Sequence, residues 1–316
     1  MTEPKSERAL IEWIRRRTVG DAAAVPIGPG DDMARVRLGE PDVLITTDTL
    51  LEGTHFRFPE ASPQQVGYKA LAVSVSDCAA MAAEPVAAVA WVALPEDRDM
   101  AFAESLSAGL LECAERFACP LVGGDVTSWT GGLAIGTSVV ARSAGIEPVR
   151  RSGARPGDVL LVTGRLGGSG LGRHLAFVPR VAEARHLART ARVHAMIDLS
   201  DGLSTDLYHV CRESGVGAEV DAPAVPVSSD AERLADRDGR SPLAHALSDG
   251  EDFELLLAVG AEDAARLAGE RPLGDLPLTA IGRIVEGEDV VLVEADGTRR
   301  PLEPSGYEHF RGEGPA

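Results

Sequence analysis

The feature that most restricts how this chain can fold is where it puts its aspartates. Four segments carry them where an apolar run meets a turn of glycine or hydroxyl residues: GPGDDM (Asp31, Asp32), ITTDTLLEG (Asp48), LVGGD (Asp125) and IDLSDGL (Asp198, Asp201). Asp77 adds another on the small, apolar surface of a predicted helix. Any one of them alone reads as a helix cap or an Asx-turn. Together they point to one site. A buried carboxylate must be neutralised, and Lys and Arg are nearly absent beside these motifs, which leaves hard divalent cations. Magnesium fits best, because it takes carboxylate, hydroxyl and water oxygens and shares its coordination with substrate phosphates.

The charge balance agrees. Forty-nine acidic against 31 basic residues give a formal charge of -18, which argues against nucleic acid as a partner, since backbone phosphates are bound by clustered Lys and Arg. An acidic chain that handles phosphates needs cations. With 316 residues, 44% of them hydrophobic, the chain can bury a substantial core and is long enough for two domains. The stretch MTEPKSERALIEWIRRR lacks the apolar segment of a signal peptide, and the most apolar region, 70–94, is interrupted by Asp77, Glu84 and Pro85. No membrane span is expected, and the cytoplasm is the expected location. Cys78, Cys113, Cys119 and Cys211 form no C-x-x-C pair and are expected as reduced, buried thiols.

Along the chain, Ser6 and ERALIEWIRRR predict a short capped helix, and PDVLITTDT a strand rich in β-branched residues. Ser62 and Pro63 occupy the N-cap and first position of a long helix. VAAVAWVALP predicts a buried strand, 99–117 a helix, PLVGGD a short strand entering a glycine turn, and GLAIGTSVVARS a strand. GIEPVRRSGARPGD, rich in Gly, Pro and Arg, is the expected boundary between two halves, 1–145 and 146–316. Beyond it come strands at VLLVTG and HAMIDLS, and helices at PRVAEARHLART and at DGLSTDLYHVCRESG, the latter closed by Gly215. Strand, helix and strand follow at DFELLLAVG, EDAARLAGE and LTAIGRIVEG. Helices and strands mix in both halves, so the fold class is α/β (α+β).

Common phosphate motifs are absent. No Gly-Lys pair exists for a P-loop, and VLLVTGRLGGSGLG lacks dinucleotide spacing because Arg173 stands where the third glycine belongs. The glycines beside the aspartates matter instead, since a residue without Cβ lets backbone approach a phosphate closely. Gly123 and Gly124 precede Asp125. In IDLSDGL a helix is expected to begin near Asp201, turning its N–H groups and the Ser200 hydroxyl toward phosphate while Asp198 and Asp201 hold metal.

In order, GPGDDMA, ITTDTLLEGTHF, YKALAVSVSDCAAMAAEP, LVGGDVT, RSGARPGD, VTGRLG, IDLSDGL and DGEDFELLL resemble the thiamine-monophosphate kinase family. That family belongs with aminoimidazole ribonucleotide synthetase, selenophosphate synthetase and the hydrogenase maturation protein HypE. The resemblance runs from about residue 28 to 285, with GYEHF as a further match. It implies a two-domain protein whose N-terminal ATP- and magnesium-binding domain pairs with a second copy around a β-barrel-like interface, followed by a C-terminal α/β domain. It also implies direct transfer of the ATP γ-phosphoryl group to thiamine monophosphate, giving thiamine diphosphate and ADP.

Carried over motif by motif, the magnesium ligands are Asp32, Thr46, Thr47, Asp48, Asp77, Asp125, Asp198 and Asp201. Nucleotide contacts come from Gly124, Asp125, Arg151 and Ser200, and substrate contacts from His55, Glu251 and Phe310. No strong base is required, because the acceptor is already an anionic phosphate oxygen; Arg151 serves as a phosphate clamp. Glu251 suits the thiazolium cation, and Trp129 or Phe310 offers a stacking surface. Ala82 and Ser248-Asp249 depart from the family pattern, and the 164–180 segment is short. Two rival readings remain at this point: an amide-activating synthetase of the same superfamily, and a nucleotide-binding regulatory module without turnover.

Overall fold

A computed structural model describes residues 25–27, 31–37 and 42–307. The first half forms a five-stranded sheet from β1 (Ala34–Val36), β2 (Val43–Leu51), β3 (Glu84–Pro95), β4 (Leu121–Trp129) and β5 (Ala134–Arg142), in the order β1-β2-β5-β3-β4. All neighbours are antiparallel except β3 and β4. A parallel pair needs a crossover, here supplied by helix α2 (Met100–Arg116), capped by Asp99.

Helix α1 (Pro63–Ala80) packs between this sheet and α2. Its start is set by a capping box: the Ser62 side chain accepts from Gln65 N–H while the Gln65 side chain accepts from Ser62 N–H. The two helices touch at Gly67 and Gly109, where an added Cβ would come within 1.9 and 1.8 Å of the other helix's backbone carbonyls.

The second half forms a seven-stranded sheet in the order β12-β11-β8-β10-β6-β9-β7. Its strands are β6 (Val159–Thr163), β7 (Val193–Asp198), β8 (Gly217–Asp221), β9 (Leu255–Val259), β10 (Leu278–Val285), β11 (Val290–Val293) and β12 (Arg299–Pro301). Its helices are α3 (Val181–Thr190), α4 (Leu203–Ser214), α5 (Ser229–Asp238), α6 (Pro242–Ser248) and α7 (Ala261–Glu270). Strand β9 is buried at every position, and its side chains divide by the period of two. Leu255, Leu257 and Val259 join the core that contains Leu44, Leu71 and Ile135 of the first half. Leu256 and Ala258 join a separate core with Leu203, Leu207 and Ile281. One strand therefore binds the two halves together with one face and builds the second half's own core with the other.

Most predicted elements occur within a residue or two of their expected limits. The helix expected at ERALIEWIRRR lies outside the described residues. PLVGGD differs from expectation: it opens a continuous nine-residue strand with no turn. Gly124 is there for close approach, since a Cβ on it would lie 2.0 Å from the Ala90 carbonyl oxygen of β3. Helices α5 and α6 were not anticipated, although Ser228 and Ser241 cap them through Ala231 N–H and Ala244 N–H. The first sheet is open among the described residues, with β1 and β4 as its edges, so no barrel closes within one chain.

Candidate active site

Three carboxylates from three separate elements meet at the junction of the halves. Asp32 precedes β1, Asp77 sits in the last turn of α1, and Asp198 ends β7. One ligand oxygen from each lies within 4.8 Å of the others. Hydroxyls line this cluster: Thr46 donates to Asp77, Ser76 donates to Asp198 at 2.5 Å, and Ser74 donates to Asp48 at 2.7 Å. Burial, reinforced by neighbouring carboxylates, pushes Asp48 up, Asp77 well up, and Asp198 up to about 8. A cluster of oxygens with no thiol or imidazole among the described residues has the donor chemistry of a hard divalent cation site.

One expectation fails here. The motifs have no adjacent Lys or Arg in sequence, yet the Arg151 guanidinium reaches Asp32 with Nε–Oδ2 at 3.0 Å and Nη2–Oδ1 at 2.9 Å. Its backbone N–H donates to Asp31 at 2.7 Å. The predicted phosphate clamp is thus seated in the acidic cluster, and the fork geometry suits it to carboxylate and phosphate alike. The sequence separation of 119 positions hid this pairing from any local reading.

Beside the cluster lies a cleft of about 510 Å³. It gathers six of the predicted site residues, Thr47, Asp48 and His55 from the first half and Ser200, Asp201 and Glu251 from the second. His55 Nδ1 accepts from Leu51 N–H at 3.0 Å, which in the neutral ring puts the proton on Nε2. Glu251 pairs with Lys69 at 2.5 Å. Burial lowers the ammonium of Lys69, with the Glu251 charge opposing that shift. Glu251 and Phe253 both hold positive φ, 52° and 48°, beside Gly250 at 74°. This sharply turned segment presents Phe253 to the cleft, stacked on Phe177 with centroids 3.9 Å apart. Phe253 is an aromatic residue of the cleft lining that the sequence reading did not single out. Trp129 is at the end of β4, donating to the Gly132 carbonyl, and Phe310 lies outside the described residues.

The phosphate cradle predicted at IDLSDGL is already occupied by a carboxylate. Helix α4 begins at Leu203, and Asp206 in its first turn accepts from Asp201 N–H at 3.2 Å and Gly202 N–H at 3.0 Å. Those amides do not face an incoming phosphate as expected. Asp206 carries a cap-like role from inside the helix, so a search for a preceding cap could not find it. In the 164–172 segment, Gly167 N–H donates to Asp252 and Gly168 N–H to Asp249.

Asp125 and Gly124 are not with the cluster. Register runs Asp48, Thr137, Ala90, Gly124 across β2, β5, β3 and β4, a span of three strand spacings or about 14 Å. Thr46 and Thr47 also separate. Thr46 turns inward to Asp77, whereas Thr47 bonds Thr137 O and Ser138 Oγ on the outer side.

Comparison with known proteins places this geometry in a family. Residues 30–143 match the model of the AIR synthase related protein N-terminal domain, and residues 155–294 match that of the C-terminal domain. Thiamine-monophosphate kinase from Rhodopirellula baltica is 38% identical over 96% of this chain and 97% of its own length. The Salmonella typhimurium enzyme of the same name is 37% identical over 96% and 98%. A solved structure described as AaThiL complexed with AMPPCP and TMP superposes with a TM-score of 0.83 at 32% identity, covering 96% of this chain and 97% of that one. The hydrogenase maturation protein HypE in complex with ATP shares the fold, with a TM-score of 0.70 at 21% identity. With its paired domains, interdomain aspartate cluster and full-length similarity, this chain belongs to the thiamine-monophosphate kinase family.

Proposed function

We propose that this chain is a magnesium-dependent kinase that transfers the γ-phosphoryl group of ATP to thiamine monophosphate, giving thiamine diphosphate and ADP. The observation that carries this reading is the convergence of Asp32, Asp77 and Asp198 from both halves beside a cleft whose other wall holds Glu251.

Asp32, Asp77 and Asp198, with Asp48, Asp201 and the Thr46 hydroxyl, are the residues that would hold magnesium. When bound, the ion neutralises phosphate oxygens and draws charge from the phosphoryl group in flight. The chain's own task is alignment. An oxygen of the substrate phosphate attacks the γ-phosphorus as the bond to the ADP oxygen breaks, and no proton has to be removed. Arg151 and Ser200 hold nucleotide phosphates, with Arg151 exchanging part of its Asp32 pairing for them. Glu251 and His55 hold the thiamine end, where a carboxylate favours the cationic thiazolium ring. Phe310 belongs to the same substrate group.

The reading divides the chain at 145/146 into a nucleotide- and metal-binding half and a C-terminal half, and the two separate sheets support it. A homodimer is part of the reading. Ile45, Leu51, Val89, Trp91 and Val140 are exposed on the outer face of the first sheet, and Val122 and Val126 on its edge strand β4. A patch of this kind marks an interaction surface. Pairing two such faces would bring Thr47 and Asp125 against a second chain, supplying magnesium and nucleotide contacts that they do not make within their own. Four free, buried cysteines suit the reducing cytoplasm, and no helix among the described residues is long and apolar enough to cross a membrane.

The test is ADP release from purified protein with magnesium and ATP. Thiamine monophosphate is expected to trigger it and formylglycinamidine ribonucleotide is not. Release with the amide substrate alone, or tight ATP binding with no release, overturns the assignment.

A further inference from the structure

Lys69 is buried to 0% exposure in the middle of α1, an unusual place for an ammonium group. It has two anchors from opposite halves. Its Nζ donates to the His55 carbonyl oxygen at 2.8 Å and to Glu251 Oε1 at 2.5 Å. Glu251 itself lines the cleft, its side chain 31% exposed. Among the described residues the cleft wall carries Asp48, Asp201, Asp249 and Glu251 and no Lys or Arg, so Lys69 lies beneath an acidic surface as its buried counter-charge. Lys69, Val73 and Asp77 also follow one another at intervals of four on α1, one stripe about 12 Å long. At one end of that stripe is the carboxylate cluster; at the other is the Glu251 pair.

We infer that Lys69 is a positioning residue for the substrate end of the cleft, anchored on the His55 carbonyl and holding Glu251 where it meets a cationic heteroaromatic ring. Glu251 stands on a backbone with φ of 52°, in a segment facing three other carboxylates. Without Lys69, repulsion from those neighbours would swing its side chain toward solvent, and the cleft would lose its oriented anion. The cation acts from below the carboxylate, so it does not compete with a ring arriving from the cleft. Because Lys69 lies away from the Asp32, Asp77 and Asp198 oxygens, its loss leaves the nucleotide end unaffected.

The inference rests on the kinase reading above, and the two fail separately. ADP release by the wild type with thiamine monophosphate tests the reaction; ratios between variants test Lys69. Lys69→Met is expected to raise KM for thiamine monophosphate about tenfold or more while KM for ATP stays within about twofold. Equal rises in both KM values, or no rise for the phosphate acceptor, overturn the inference. A second comparison asks whether the effect runs through the Glu251 charge: Glu251→Gln, in which Lys69 keeps an amide oxygen and the His55 carbonyl as acceptors, against Glu251→Gln with Lys69→Met. Once Glu251 is neutral, removing Lys69 is expected to change the acceptor KM by less than about threefold. A further tenfold loss there would mean Lys69 acts by another route, and would sink the proposal.

Discussion

The two faces of the first sheet are built from the same strands and have opposite characters. The inner face, under α1, carries Thr46 and Asp48 among Leu44 and Leu50, and directs them to Asp77 and Ser74. The outer face carries Ile45, Thr47, Thr49 and Leu51, with Trp91 and Val89 from β3. Thr46 and Thr47 are neighbours in sequence and end in different environments, because successive side chains of a strand point to opposite faces. The inner face is polar inside a core, which is tolerable only where hydroxyls and a cation satisfy the carboxylates. The outer face is apolar in contact with solvent, which is tolerable only where something covers it. Each face is incomplete in a complementary way.

The sharpest way to break the inner face is Asp77→Asn. It keeps an oxygen to accept from Thr46 and removes one metal-binding charge. Turnover is expected to fall by about a thousandfold or more, on the order of 4 kcal/mol of transition-state stabilisation. Without magnesium the variant should melt at or above the wild-type temperature, since one member of a crowded set of carboxylates has been neutralised. Thermal melts with and without magnesium check this; a variant that loses both activity and fold would point to a packing role for Asp77.

The outer face is tested by Val89→Lys. Val89 is 43% exposed in the isolated chain, so a lysine there costs the monomer little. Sedimentation is expected to show a dimer for the wild type and a monomer for the variant, with activity lost alongside. A wild-type monomer with full activity would remove the need for a covered face.

Magnesium and pH sharpen the contrast further. Asp198 is raised from 3.8 to about 8, and Asp77 is raised as well, so the native metal-free protein binds more protons than the unfolded chain between those pH values. A raised carboxyl contributes stability that is full below pH 4 and is lost as pH climbs through about 8, with a slope of at most about 1.4 kcal/mol per pH unit for each proton. Metal-free protein should therefore lose stability from pH 5 to 8, and added magnesium should restore most at the alkaline end. Denaturant titrations across that range read the slope directly; a metal-free protein that gains stability with pH contradicts the crowded cluster.

The smallest effect is expected from Gly124→Ala. The added methyl meets the Ala90 carbonyl, and relief requires β4 to shift from β3 at a cost of about 1 to 3 kcal/mol. Because β4 is an edge strand, the loss should appear first as faster amide exchange along 121–129 rather than as global unfolding. Uniform protection loss across both sheets would show that β4 is a core strand instead.

Much of this arrangement was legible from local pattern. The Ser62 and Pro63 start of α1, the alternation of β2 and the Gly215 stop of α4 are decided within a few residues by capping, side-chain period and backbone sterics. The repeated placement of aspartates after apolar segments pointed to a shared site, and the ordered motifs led to the family. What stayed hidden depends on groups far apart in sequence. Arg151 on Asp32, Lys69 on Glu251 and Ser76 on Asp198 join residues separated by 119, 182 and 122 positions. Asp206 captured the amides expected to serve phosphate, and the sharply turned 250–253 segment stacked Phe253 on Phe177. Sequence alone determined which short elements form and that their carboxylates need neutralising, since both follow from energies local to a turn or a strand. Which carboxylates meet, which cations reach them, and which face of β2 each threonine serves were decided by the packing of two sheets through β9, because only burial in a common core brings such distant groups within hydrogen-bonding range.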